Sequence, residues 1–242
     1  MVLTGADQAL SETTRGGPAI ELVDVIRVYQ EADVETVALR GIHLSVSAGE
    51  FVAVMGRSGS GKSTLLQLLA GSDRPTAGRV VVDGIDLSRA SEDQRATLRG
   101  SHVGIIFQSQ NLVPFLNLAE NIVLAAKLAG RPVSNGAAVE ILARVGLADR
   151  ADHRPSQLSG GEQQRGALAA ILATRPSVIL ADEITGELDS ASATVLLDLL
   201  AEIHASNPMT IILATHDPEV ARRADRVVEL RDGRVVDGQV AA

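Results

Sequence analysis

An α/β fold with a mainly parallel sheet and helices on its faces is predicted by three features of this chain. Short apolar strands alternate with helical segments through its second half. FVAVM, VILADE and TIILATH each run into polar, chemically capable residues. A glycine-rich loop joins the first of these strands directly to a helix. Alternation of this kind favours parallel pairing with right-handed crossovers. Ligands of such sheets gather at the carboxyl ends of the strands.

Element by element, residues 1–17 are small and polar, end in Gly16-Gly17 before Pro18, and read as a flexible tail. IELVDVIRVYQ, TVALRGIHLSVSAGE and FVAVM read as three strands, with Gly49 marking the turn before the third. GRSGSGKSTLLQLLAG is a glycine loop running into a helix that stops at Gly71. RVVVDGIDL reads as strand, turn and strand, SEDQRATLRG as a short helix or loop, and VGIIFQ as a buried strand ending at Gln108. NLAENIVLAAKLAG and AAVEILARVGL then show helical spacing with no strand between them, which places a helical insertion at about 109–156. Strand VILADE, a helix, strand TIILATH, a helix, strand RVVEL and a closing turn RDGRVV complete a single domain over 18–242.

Composition removes several function classes. The chain has 242 residues, 45% of them hydrophobic, so it can bury a sizeable core; with only three Phe and one Tyr, that core must be aliphatic. Lys and Arg number 22 against 30 Asp and Glu, for a net charge of −8, and the basic residues are scattered. That argues against nucleic acid as a partner. With no cysteine, disulfides and thiolate metal sites are excluded, and the five His show no metal-ligand spacing. The longest apolar run, GALAAILA, has eight residues, far below the roughly 18–20 of a membrane helix. The amino terminus lacks the pattern of a signal peptide. The expectation is a cytoplasmic protein with no direct membrane insertion.

Gly56-Arg57-Ser58-Gly59-Ser60-Gly61-Lys62-Ser63, followed by Thr64, satisfies GxxxxGK[ST]. Glycines let the backbone curl so that successive N–H groups converge on phosphate oxygens, and the following helix adds its positive end. Lys62 can reach the β- and γ-phosphates, and the Ser63 hydroxyl can ligate Mg²⁺. Asp182 and Glu183 end a buried strand, where two carboxylates are costly without compensation. A magnesium ion beside Asp182, directly or through water, supplies it. Glu183 is then free to orient or deprotonate a water attacking the γ-phosphate. His216 ends its strand similarly and can contact the γ-phosphate or hold that water, while Gln108 is placed to sense metal and water.

These stretches, with FQSQNLVP, LSGGEQQR at 158–165 and GELD at 186–189, resemble the ATP-binding subunit of an ATP-binding-cassette (ABC) transporter over about residues 19–236. The resemblance implies a P-loop NTPase core with a mainly parallel sheet, an antiparallel β subdomain on the N-terminal side and an inserted α-helical subdomain. It implies ATP hydrolysis with Mg²⁺ in a head-to-tail pair of subunits, a homodimer in the simplest case. Ser159, Gly160, Gly161 and Glu162 of one subunit would close over the γ-phosphate held by the other. Read locally, LSGGEQ is also a helix cap with Glu162 at the capping-box position. In the family an aromatic near the first strand stacks on adenine, and Tyr29 occupies that place. Gln108 matches the segment linking nucleotide to helical insertion and membrane subunit, and Asp189 the loop that crosses the dimer interface. The implied partners are a second ATP-binding subunit and a membrane-spanning permease, which would hold the chain peripherally on the inner membrane face.

Within the family the motifs are most similar to the lipoprotein-release and macrolide-export subgroup. A module that regulates or transmits force in a membrane complex without moving cargo, as in cell-division relatives, is the alternative. Soluble members of translation or DNA repair carry two cassettes or long coiled-coil insertions, which this chain lacks. Three positions depart from the family pattern: Ile184 stands for proline, Gly166 for valine and Ala170 for arginine, and a tyrosine is common at Gln110. Glycine inside a helix costs about 0.5–1 kcal/mol relative to alanine. The departures predict altered closure or turnover in an otherwise complete site.

Overall fold

The computed structural model describes residues 18–31, 34–109, 111–207 and 209–240. The expected tail at 1–17 and the departure at Gln110 lie outside the described residues. The chain opens with two long strands, β1 (Ile20–Glu31) and β2 (Val34–Val46), followed by β3 (Phe51–Met55) and α1 (Lys62–Leu69). β4 (Ala77–Val82), β5 (Ile85–Asp86), α2 (Glu92–Ser101) and β6 (Val103–Ile106) complete the first half. Then come α3 (Leu118–Leu128), α4 (Asn135–Arg144), α5 (Gly160–Thr174) and β7 (Val178–Asp182). α6 (Ser190–Ser206), β8 (Thr210–Thr215), α7 (Pro218–Ala221), β9 (Arg226–Arg231) and β10 (Arg234–Val240) end the domain.

The strands form two sheets: a four-stranded antiparallel one in the order β2-β1-β4-β5, and a six-stranded one in the order β10-β9-β3-β8-β7-β6. In the second sheet only the edge strand β10 runs antiparallel. Its central strands are buried throughout, because both faces are covered. The pleat divides their side chains between two cores. Phe51, Ala53, Ile179, Ala181, Ile211 and Leu213 face α3 to α6, whereas Val52, Val54, Leu180, Ile212 and Ala214 face α1 and the antiparallel sheet. The stretch between β6 and α5 is helical, and its buried residues Leu118, Ile122, Ala138 and Leu142 join the first of these cores.

Three local expectations need adjustment. VGIIFQ is not a strand to Gln108: pairing with β7 stops at Ile106, and Phe107 is 52% exposed. SEDQRATLRG settles as a helix, because Ser91 and Gln94 form a complete capping box at its start. The closing turn RDGRVV is the bend of a hairpin, with Arg231 paired to Arg234.

The two sheets are clasped at the end remote from the phosphate loop. Asp83, in the β4–β5 turn, accepts hydrogen bonds from His102 Nδ1 at 2.6 Å and from the Ser177 hydroxyl at 2.7 Å. His102 follows α2 and Ser177 precedes β7, so one carboxylate ties both sheets together. The His102 bond, helped by Ser177, holds the Asp83 carboxyl below the usual aspartate range. A depressed carboxylate stabilises the fold fully above its unfolded pKa of about 3.9, and that contribution is lost as pH falls through the folded value. Asp83→Asn is therefore expected to cost about 1 kcal/mol or less at neutral pH, Asp83 being partly exposed. Denaturant titration should show the gap closing below about pH 4; a gap independent of pH would contradict this account.

Candidate active site

Parallel register sets the site. Met55 pairs with Thr215 and Asp182 with Ala214, so Gly56, Glu183 and His216 leave their strands along one edge of the sheet. Glu183 turns there in the left-handed region, at φ 46°, and its N–H donates to the Ala214 carbonyl at 3.0 Å. Gly56 donates to the Thr215 carbonyl at 3.3 Å and starts the phosphate loop. A Cβ at Gly56 would lie 2.4 Å from both the Leu230 carbonyl and the Ser60 hydroxyl, so only glycine fits. Gly61, at φ 107°, has the Ala38 carbonyl 2.7 Å from the place of a side chain. The β9–β10 turn completes the support, since Gly233 N–H donates to the Ser60 carbonyl at 3.0 Å. Sequence reasoning missed this role of the closing hairpin, because nothing local in RDGRVV points to residue 60.

Lys62 is 5% exposed. Its ammonium donates to the Gly56 carbonyl at 2.8 Å and the Arg57 carbonyl at 3.3 Å, and lies 3.4 Å from Glu183 Oε1. His216 Nδ1 lies 3.4 Å from the same carboxylate oxygen. No side chain caps α1, and its first turn is free of acidic residues. α2 to α7 each have one of their first free N–H groups met by a capping side chain. α1 alone among the α-helices of the described residues lacks such a cap, so its first N–H groups and positive end stay open to an anion. A cavity of about 680 Å³ lies alongside, lined by Met55, the loop from Gly56 to Ser60, His216 and Glu229 to Asp232. Arg57, Ser58 and Gly59 are exposed at its wall, while Thr64 is half-buried in the first turn of α1.

The fit to magnesium can be tested on Asp182. Its Oδ1 is buried without a hydrogen-bond partner, and the nearby Ser63 hydroxyl favours the charged form of the carboxylate. Burial pushes the Asp182 carboxyl above its usual range, with the Glu183 charge adding to the effect and Ser63 and Lys62 opposing it. An unpaired carboxylate oxygen beside a hydroxyl is a hard-oxygen donor pair, and Mg²⁺ takes one or two such groups plus phosphate oxygens and water. Among the described residues no group of three or more His, Cys, Asp or Glu could hold a metal alone. The residues present fit a cation whose remaining ligands come with the nucleotide.

The other expected residues gather elsewhere. A second, smaller hollow is lined by Gln108, Ser109, Leu112, Gly160, Gln163, Gln164 and Leu188 among others, and it shares no residue with the first cavity. The Gln108 side-chain amide lies against Gly186, where an added Cβ would meet its Nε2 at 3.2 Å. The Gln108 backbone is tied to α5 by Gln164, which is 6% exposed and donates to the carbonyls of Gln108 and, at 3.3 Å, Phe107. Asn111 joins this knot through Phe107 and Gln164 Oε1. Gln164 lies within LSGGEQQR, yet only the fold shows that it anchors the Gln108 loop. Tyr29 stands apart, its hydroxyl donating to Asp73 Oδ2 at 2.9 Å and lying 3.4 Å from Gln67 Oε1 of α1.

At the start of α5 the capping box is complete. The Ser159 N–H donates to Glu162 Oε2 at 2.8 Å and its hydroxyl to the same oxygen at 2.9 Å, while Glu162 N–H returns to Ser159 Oγ at 3.3 Å. These bonds, with help from Arg150, hold the Glu162 carboxyl below its usual range. The two glycines that follow have different reasons. Gly161 is buried, and a Cβ there would meet Ser192 Cβ at 2.9 Å. Gly160 is exposed and would make only an ordinary contact, with Leu188 at 3.4 Å. Ser192 also binds Asp189 through its N–H at 2.9 Å and its hydroxyl at 2.8 Å, so the cap of α6 and the start of α5 meet on one serine.

The departures gain physical reasons. A Cβ at Gly166 would meet Leu118 Cδ2 at 2.7 Å, so glycine lets α5 approach α3 closely. Ile184 is 1% exposed and Ala170 is 8% exposed, both within the core facing α3 to α6. The contrast at the signature is testable. Gly161→Ala is expected to lower stability by about 1–3 kcal/mol through overpacking against α6. Gly160→Ala should leave the melting temperature unchanged or higher, yet reduce ATP hydrolysis. Thermal unfolding and phosphate release measured on both variants check this; equal behaviour would remove the distinction.

Residues 39–186 match the family described as ABC transporter. The macrolide export ATP-binding/permease protein MacB of Hyphomonas neptunium is 50% identical over 90% of this chain and 34% of its own length, so the chain spans about a third of that relative. The lipoprotein-releasing system ATP-binding protein LolD 1 of Rhodospirillum rubrum is 44% identical over 90% of this chain and 97% of its own. A solved ATP-binding cassette, dimeric in a post-hydrolysis state with ADP and Pi, has a TM-score of 0.85 at 36% identity, covering 92% of this chain and 99% of that one. The likeness to that cassette covers nearly the whole chain, and the chain belongs to the ABC transporter family as an ATP-binding cassette.

Proposed function

We propose that two copies of this chain pair head to tail and power a separate membrane permease. The supporting observation is the division of the phosphate-recognising elements between two hollows that share no residue. The loop from Gly56 to Ser63 borders one, and Gly160 with Gln108 borders the other. A single copy leaves each half incomplete, and a second copy in reversed orientation supplies the missing half to both.

The chemistry follows from this chain's own groups. Lys62 leaves the Glu183 carboxylate for phosphate oxygens, which neutralise its ammonium more completely. Glu183, released but still next to His216, accepts a proton from the attacking water as the bond to the γ-phosphate breaks. His216 holds the water or the γ-phosphate in line. Ser63 and Asp182 would hold Mg²⁺, with Gln108 nearby, and that ion supplies neutralisation of the β- and γ-phosphate charge. Ser159, the Gly160 N–H and the start of α5 act on the γ-phosphate of the other copy, and Asp189 meets the opposite subunit at the seam. Arg57, Ser58, Gly59, Ser60, Gly61 and Thr64 bind the phosphates by backbone and helix-end contacts, and Tyr29 stacks on adenine.

The 109–156 segment, inserted within the domain at 18–242, carries motion from Gln108 to the permease. Exposed apolar side chains at the start of this segment support the reading: Phe107, next to Gln108 in sequence, is 52% exposed and Phe115 is 70% exposed. None of the helices among the described residues is long and apolar enough to cross a membrane, so attachment to the inner membrane face falls to the partner. The subgroup points to export, or to extracytoplasmic handling of lipids, lipoproteins, peptides or drugs.

Glu183→Gln should retain ATP binding, slow hydrolysis by orders of magnitude and accumulate an ATP-bound dimer on size-exclusion chromatography. A monomer that persists with ATP would overturn head-to-tail closure. Phe115→Ser should leave hydrolysis by the isolated chain intact and weaken co-purification with the permease; unchanged co-purification would move the docking surface elsewhere.

A further inference from the structure

β4 pairs with β1 only as far as Ile26, so the tip of the β1–β2 hairpin runs free of β4 beyond that point. Arg27 and Tyr29, two residues apart, emerge there on the same face of β1. The Arg27 guanidinium lies over the Tyr29 ring, 4.3 Å from its centroid. Its Nε donates to Asp73 Oδ2 at 2.7 Å, the same oxygen that accepts the Tyr29 hydroxyl at 2.9 Å. Asp73 sits just past α1 and donates its N–H to the Gln67 carbonyl of that helix. One carboxylate oxygen thus fixes the cation, the ring, and both relative to the helix that begins at the phosphate loop.

We infer that Arg27, held by Asp73, is a positioning residue for base recognition: it occupies one face of the Tyr29 ring and leaves the opposite face for the adenine of ATP. The inference rests on the proposed stacking role of Tyr29 and adds what fixes the platform. A ring has two faces, and a guanidinium over one of them is a favourable partner that is not vacated without cost. The hydroxyl bond to Asp73 stops the ring from rotating away, so the stacking surface is set before nucleotide arrives. A stack on a ring already immobilised loses less freedom, which is where the gain in affinity arises.

Tyr29 is the only tyrosine, and the chain has no tryptophan. Protein carrying ¹³C-labelled tyrosine therefore reports on this ring alone. The full chain is titrated with ATP and with ribose 5-triphosphate, which has the phosphates but no base. ATP should shift the ring signals and ribose triphosphate should not. By calorimetry, Arg27→Ala should raise the Kd for ATP about two- to tenfold, the range expected of one cation–π contact. The Kd for ribose triphosphate should stay unchanged, which also shows that the variant is folded, and Arg27→Lys should recover most of the loss. Asp73→Asn should weaken ATP in the same direction. If ATP fails to shift the wild-type ring, the stacking reading of Tyr29 falls and this inference with it. If the shift persists and Arg27→Ala binds ATP as tightly as wild type, or more tightly, Tyr29 keeps its role and Arg27 loses the one assigned here.

Discussion

The buried charge of Lys62 is the constraint on which the rest of this structure turns. An ammonium removed from water must be paired or bonded on every side, or it is not tolerated. Here two loop carbonyls and the Glu183 carboxylate surround it. That requirement curls the loop from Gly56, draws the end of β7 toward α1, and keeps the Glu183 carboxylate paired. A phosphate competes for the lysine with more charge than Glu183 carries. In the proposed mechanism, phosphate binding and release of the base are therefore one event, set by a single ion pair.

The same logic orders the helix ends. Six of the seven helices among the described residues spend a Ser, Asn or Asp side chain on their own free N–H groups. α1 does not, and it follows the glycine loop. The signature helix α5 is an intermediate case. Its cap is satisfied internally by Glu162, yet Gly160 leaves its first turn open to approach. A motif that resembles a phosphate loop in sequence is therefore a finished helix start within one subunit, and in the proposed head-to-tail pair it would become a phosphate contact against the other. In that pair, capping box and nucleotide contact would be successive uses of Ser159 rather than rival readings of it.

Much of this was legible beforehand. Glycine spacing and the polar ends of FVAVM, VILADE and TIILATH give the phosphate loop and the edge at which it meets Glu183 and His216. Alternating strands and helices give the parallel sheet. What was not legible depends on contacts between distant segments. VGIIFQ reads as one apolar run, and nothing in it shows that β7 stops pairing at Ile106 and leaves Phe107 in solvent. The two signature glycines look equivalent until Ser192 is found against Gly161 alone. Gly166 looks like a weakened helix, but Leu118 on α3 occupies the space that a side chain would need. Gln164 and Asn111 read as ordinary polar residues until they close on the Gln108 backbone.

Ile184 shows how such contacts change the meaning of a departure. Read by itself, the missing proline implies a looser loop between Glu183 and Asp189. In the fold, Glu183 sits at φ 46°, and Ile184 is buried in the core that also holds Leu196 and Leu213. A proline biases the residue before it toward extended conformations, so isoleucine leaves Glu183 freer to take its left-handed turn. The left-handed backbone costs about 1–2 kcal/mol, and burial of Ile184 offsets it through transfer of an aliphatic side chain worth about 1.5–3 kcal/mol. Ala170 is 8% exposed in the same core, where the arginine of the family pattern would need compensating partners. The three departures thus share buried positions, with Gly166 against Leu118 and Ala170 and Ile184 in one core, while Glu183 keeps its left-handed turn.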